Sequence, residues 1–107
     1  MVNLINAVVL QARLTADPVL NHTENDIPVC TVTLACDQNH KDADGNRGCD
    51  FIDVTFWRKN AEFLSGNFSK GSVVIVKGCL TQRRWTDKDG NKRQKLIVTA
   101  SSVEFPK

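Results

Sequence analysis

No apolar run in these 107 residues approaches the roughly 20 that a membrane-spanning helix needs. The N-terminus lacks the basic region, long apolar stretch and small-residue cleavage site of a secretory signal. A cytoplasmic location with no membrane partner is therefore expected. The four cysteines, Cys30, Cys36, Cys49 and Cys79, include no C-x-x-C pair. Cys36, His40 and Cys49 match no common zinc spacing, so neither a metal nor a cofactor is expected. Cys30 and Cys36 share strand parity with Val32 and Leu34 and read as small core hydrophobes. The two histidines, His22 and His40, fall in predicted loops. There is no nucleophile–base–carboxylate spacing and no phosphate-cradling glycine motif, so the chain does not read as an enzyme. It shows no internal repeat and no low-complexity segment.

What is present is the composition of a globular protein: 41% hydrophobic and 24% charged residues, enough for one domain spanning 1–107 with a modest core. Net charge is only +2, but it is unevenly placed. Between Gln82 and Lys95 stand Arg83, Arg84, Lys88, Lys92, Arg93 and Lys95 against Asp87 and Asp89, six minus two, or +4 in one segment.

The most informative stretch is Phe51-Ile52-Asp53-Val54-Thr55-Phe56-Trp57-Arg58-Lys59. Its strict alternation sets Ile52, Val54 and Phe56 on one face of a strand and Phe51, Asp53, Thr55 and Trp57 on the other. Two aromatics with polar residues between them lie on the face the core does not need. A second sheet, a partner chain or a flat π-faced ligand could cover them.

Around it the chain reads as follows. Asn3–Thr15 is a first strand with Val8, Leu10, Ala12 and Leu14 on one face, broken by Asp17-Pro18. Val19–Asp26 is a polar connection that can hold a short strand and a turn at Asn25-Asp26. Val29–Asp37 is a second strand, its inner face Cys30, Val32, Leu34 and Cys36. Gln38–Gly48 is a polar loop with Asp44-Gly45-Asn46 at its tip. A helix over Asn60–Ser69, capped by Asn60 and stopped by Gly71, buries Ala61, Leu64 and Phe68 beside Phe63 and is too small to do more than plug the end of a curled sheet. Ser72–Trp85 is a fourth strand with Val74, Val76, Gly78 and Leu80 inward. A turn at Asp89-Gly90 leads to a fifth strand, Gln94–Phe105, so the last hairpin carries the basic cluster with Trp85 at its base. Three strands, a helix and two strands is the element order of an all-β, five-stranded OB-fold Greek-key barrel with one short helix between strands three and four.

Several short segments, in order and at matching distances, resemble the bacterial single-stranded DNA-binding protein family over nearly the whole chain. They are Asn6-Ala7-Val8-Val9-Leu10 with Arg13-Leu14-Thr15 and Asp17-Pro18, then Thr33-Leu34-Ala35, then Phe56-Trp57-Arg58-Lys59 with Ala61-Glu62 and Lys70-Gly71-Ser72, and finally Gly78-Cys79-Leu80 running to Arg83-Arg84-Trp85-Thr86-Asp87. The resemblance implies sequence-independent binding of single-stranded DNA in replication, recombination and repair. It implies base stacking on Phe51, Trp57 and Trp85, with His40 at a loop position where members often carry tryptophan. It also implies phosphate contacts at Lys59, Lys70, Arg83 and Arg84, to which the basic hairpin adds Lys92 and Arg93. Family members form homotetramers through first-strand pairing; here the apolar row Ile5, Ala7 and Val9 is the expected oligomer interface.

The sequence departs from the family pattern in places. Asp53 stands where members often carry a basic or neutral polar residue, and Ala7 and Ala12 replace positions often basic and glycine. Members usually continue into a flexible linker and an acidic tip that recruits replication and repair proteins; this sequence shows neither, which leaves such partners open. The competing reading is an OB-fold adaptor of replication restart, a protein-interaction module that binds single-stranded DNA weakly.

Overall fold

A computed structural model describes residues 4–106, apart from the side chains of Asn39 and His40. The elements are β1 (Val8–Leu14), β2 (Asn21–His22), β3 (Pro28–Lys41), β4 (Arg47–Trp57), α1 (Lys59–Asn67), β5 (Val73–Thr86) and β6 (Lys92–Glu104). The sheet order is β1-β5-β6-β4-β3-β2, and β1 also pairs with β3 at Arg13↔Ala35 and Leu14↔Leu34, which closes the sheet on itself. β4 and β6 run parallel at Val54↔Val98 and Thr55↔Thr99; the other pairs are antiparallel. Leaving aside the two-residue β2, this is the five-stranded Greek-key barrel of an OB-fold. The helix falls between the third and fourth barrel strands, as expected.

Alternation builds the interior. Ala12 and Leu14 of β1, Cys30, Val32 and Leu34 of β3, Val54 and Phe56 of β4, Val74 and Val76 of β5, and Val98, Ala100 and Val103 of β6 are all buried. α1 plugs one end with Ala61 and Leu64, and Phe68 follows them into the core. Burial holds the Cys30 thiol above its ordinary pKa, as a cysteine used for packing should be.

Several expectations are corrected. Leu80 is 47% exposed rather than inward. Just before it, at Gly78, the β5–β6 register slips: Lys77 pairs with Ser102 but Gly78 with Ala100. A Cβ on Gly78 would stand 2.1 Å from the Thr99 carbonyl oxygen, so the strands meet there only because glycine has none. Past the Leu80–Val98 rung, where β6 also parts from β4, the two strands leave the core as a free two-stranded arm. The predicted loop Gln38–Gly48 is mostly hairpin, with strand to Lys41 and again from Arg47; the side chains from Lys41 to Gly48 are all exposed, so no apolar alternation marks it. With two arms projecting, the radius of gyration is 15.6 Å against about 13 Å for a compact chain of this length.

The helix and the first strand are also shorter than expected. α1 starts behind Arg58, whose φ of 57° makes the sharp corner out of β4; Arg58 N–H donates to the Pro28 carbonyl at 2.8 Å. Asn60 does not cap the helix: its Nδ2 reaches the Ser101 carbonyl at 3.1 Å. At the far end Phe68 turns extended to stack with Phe105 at 4.7 Å and meet Phe63 edge-on at 5.8 Å. Gly71, at φ 89°, serves the next turn rather than the helix end. β1 begins at Val8; Asn3 lies outside the described residues, and residues 4–7 are not strand. Asn6 nonetheless docks on β5, its Nδ2 donating to the Leu80 carbonyl and its Oδ1 accepting from the Leu80 N–H, both at 2.8 Å. One side chain thus mimics a ladder rung.

Candidate nucleic-acid interface

The outward rows of β1, β3, β4, β6 and β5 form one continuous surface. Cross-strand register lines up Arg13, Ala35 and Phe51 on β1, β3 and β4. Below that line come Thr33 beside Asp53, Thr31 beside Thr55, and Val29 beside Trp57. Thr55 neighbours Thr99 on β6, which faces Cys79 on β5. Toward the hairpin the same face continues through Ile97 with Thr81, Lys95 with Arg83, and Arg93 with Trp85.

Three rings stand out from this surface: Phe51 is 69% exposed, Trp57 40% and Trp85 42%. Phe51 and Trp57 share β4 parity and lie six residues apart, about 20 Å along a strand. The inward row of Ile52, Val54 and Phe56 fixes that parity, so burying one face of β4 dictates that the rings present the other. Trp85 is held differently. The Arg83 guanidinium lies 5.5 Å from its ring centroid, a cation–π arrangement that backs one side of the indole. Arg93, across from it, is steered by a 2.8 Å bridge from its Nε to Asp87 Oδ2. That bridge and two tip N–H groups hold Asp87 below the usual carboxylate range.

At the centre sits Asp53. Thr33 Oγ1 donates to its Oδ1 at 2.7 Å, and Lys95 bridges to its Oδ2. The Lys95 ammonium and then the Thr33 hydroxyl push its pKa down, so the carboxylate is ionised at neutral pH. The side chain keeps 26% of its surface open.

The predicted site residues fall into three groups. Phe51, Trp57, Trp85, Arg83 and Arg93 share the face just described. Lys59 opens α1 two residues beyond Trp57 and is exposed. Lys70 is exposed at the opposite edge, next to Gly71, whose carbonyl accepts from Arg13 Nη1 at 3.2 Å. Arg84 and Lys92 point to the other side of the arm, with Gln82, Gln94 and Leu96, because strand parity separates them from Trp85. His40 lies in β3 rather than in a loop, and its side chain is outside those described. Arg13 belongs to a segment that resembles the family, but it joins the face only because β1 closes against β3, a long-range pairing that local pattern does not reveal. Among the described residues no group of three metal-ligating side chains converges, and no helix is long and apolar enough to cross a membrane.

A second exposed feature lies at the N-terminal segment. Ile5 is 90% and Val9 67% exposed, with Ala7 exposed between them. β1 is paired with β5 along Val8–Arg13, whereas its other edge meets β3 only at Arg13 and Leu14. Beyond those two residues a cleft lined by Val9, Gln11, Cys36 and Gln38 separates the strands.

Residues 5–106 match the single-strand binding protein family. The chain belongs to that family. It is 41% identical over 102 residues to a single-stranded DNA-binding protein of Caldanaerobacter subterraneus subsp. tengcongensis, covering 95% of this chain and 68% of the relative. It is 39% identical to one of Bacillus cereus, covering 95% and 60%, and 41% identical to single-stranded DNA-binding protein 2 of Staphylococcus aureus strain Mu50, covering 95% and 72%. The chain therefore spans between 60% and 72% of the length of these relatives.

Proposed function

We propose that this protein binds single-stranded DNA without a requirement for a defined sequence and shields it during replication, recombination and repair, as a stoichiometric binder and not an enzyme, in the cytoplasm. The observation that carries this reading is one outward sheet face bearing three exposed rings, Phe51, Trp57 and Trp85, interleaved with cations. Bases stack on rings regardless of identity because every base has a flat face, and cations track the phosphates between them. Arg83, Arg93 and Arg13 flank the rings, with Lys59 and Lys70 at the two edges; Arg84 and Lys92 would meet a strand that wraps around the arm. Membership of the single-strand binding family supports the same reading.

Assembly is part of the proposal. The row Ile5, Ala7 and Val9 is apolar and exposed, and most of β1 has one unpaired edge. Unpaired edges of this kind are satisfied by pairing with a second chain, and a homotetramer built from first-strand dimers would cover both features.

The test is titration with oligo-dT, read by tryptophan quenching and by light scattering together. A tetramer whose emission is quenched at stoichiometric DNA is the expected result. Absence of binding overturns the proposal; weak binding that never saturates stoichiometrically favours the restart-adaptor alternative.

A further inference from the structure

A carboxylate is out of place on a surface that holds phosphates. Asp53 nevertheless stands at its centre, two residues from Phe51 and four from Trp57 on the same strand face. It is not needed to pair the strands. The backbone ladder already joins Thr33 to Asp53, and the neighbouring rung, Thr31 with Thr55, manages with hydroxyls alone. Each carboxylate oxygen has one fixed partner, Thr33 on Oδ1 and Lys95 on Oδ2, and each retains acceptor capacity toward solvent. The group is held rigidly and kept charged.

A base stacked on Phe51 presents its edge, not its face, to residues further along the strand. Asp53 lies about 7 Å from Phe51 by strand spacing, where that edge falls. An ionised carboxylate can only accept a hydrogen bond. Cytosine offers it the N4 amino group, while thymine carries the O4 carbonyl at the equivalent position.

We propose that Asp53, oriented by Thr33 and Lys95, makes this face discriminate between bases, favouring cytosine over thymine. The proposal rests on the single-stranded DNA-binding reading and refines it: stacking supplies affinity for any strand, and Asp53 imposes a bias on top. The negative charge lowers affinity for every sequence by repelling phosphate, and only a base with an amino group at the right edge recovers the loss.

The experiment compares oligo-dC and oligo-dT of equal length by anisotropy at neutral pH for the native protein, Asp53→Asn and Lys95→Gln. In Asp53→Asn the amide can turn its NH2 toward thymine O4, so the dC:dT affinity ratio should fall by about fivefold or more, with dT bound more tightly than by the native protein. Lys95→Gln keeps an amide donor for Asp53 Oδ2 but removes the charge that neutralises the carboxylate, so the ratio should rise. A ratio that moves in neither variant, or falls in both, overturns the assignment. Failure of the native protein to bind either oligonucleotide overturns the DNA-binding reading instead. Should Asp53→Asn not fold, the rise in Lys95→Gln decides the matter alone.

Discussion

The two hairpin arms end in nearly the same five residues, Asp42-Ala43-Asp44-Gly45-Asn46 and Asp87-Lys88-Asp89-Gly90-Asn91, and they fold alike. Asp42 Oδ1 accepts from the Asp44 and Asn46 N–H groups, both at 2.9 Å. Asp87 Oδ1 accepts from those of Asp89 and Asn91 at 3.0 and 2.9 Å. Gly45 and Gly90 each sit at φ 81°, where glycine avoids the Cβ penalty. The arms behind these tips differ. From Asp37 to Asp50 the β3–β4 arm carries four aspartates against Lys41 and Arg47, two minus four or −2; the β5–β6 arm from Gln82 to Lys95 carries +4. The same tip chemistry closes an acidic arm and a basic one. The turn thus fixes register and the strand residues decide what the arm can touch.

The sharpest way to break the pair is at the root of the basic arm. Gly78→Ala drives a methyl into the Thr99 carbonyl and should lower stability by about 3 kcal/mol, measured by denaturant unfolding, while Gly48→Ala in the β3–β4 arm meets only the Gln38 side chain, which can turn aside, and should cost much less. Next is the ring. Trp85→Ala should weaken oligo-dT binding by about 1–3 kcal/mol per stacked base, roughly ten- to hundredfold, with the unfolding midpoint unchanged because the ring is exposed; Trp57→Ala should behave alike. A loss of fold in either would make that ring structural. At the tips the arms should be equivalent: Gly45→Ala and Gly90→Ala should each cost about 1–2 kcal/mol, and unequal costs would show that a tip is strained by its arm.

Charge should separate the arms again. Removing Arg83 and Arg93 together should flatten the dependence of log affinity on log salt by about 0.7 for each phosphate no longer neutralised, whereas removing Lys41 and Arg47 should leave the slope alone. The smallest effect is in acid. Asp53 and Asp87 titrate below the ordinary value of an aspartate, so their contribution to stability is complete above about pH 4 and is lost as pH falls through their folded values. Asp87→Asn keeps an acceptor for the tip but loses the charged bridge to Arg93, and should make acid unfolding less steep.

How much of the fold and the interface is legible in the sequence follows from what each residue depends on. The buried rows from Val8–Leu14, Cys30–Cys36 and Ile52–Phe56 are readable because alternation is local and one-sided burial enforces it. The outward rings Phe51 and Trp57 follow from the same parity. Leu80 misleads because parity continues along a strand after the core has ended, and only the Gly78 slip marks the rim. The β3–β4 arm reads as loop because a ribbon wet on both faces has no hydrophobic period. Its D-x-D-G-N tip, matched at Asp87–Asn91, is the available signal. The split of Arg84 and Lys92 from Trp85 needs the register across the turn as well as parity. Arg13 needs barrel closure, and Asn60 is drawn away from its capping position by a carbonyl on β6.

The closure of β1 also bears on when this chain can fold. Val8 pairs with Gly78 and Arg13 with Val73, so β1 finds its main partner 60 to 70 residues further along the chain. The two arms are local and can zip early, but the barrel waits on contacts distant in sequence, which slows folding. Until β5 emerges, Val8, Leu10 and Ala12 have no strand beside them, because β3 meets β1 only at Arg13 and Leu14. The nascent protein therefore carries a largely unpaired apolar strand until β5 is made, a period in which aggregation competes with folding.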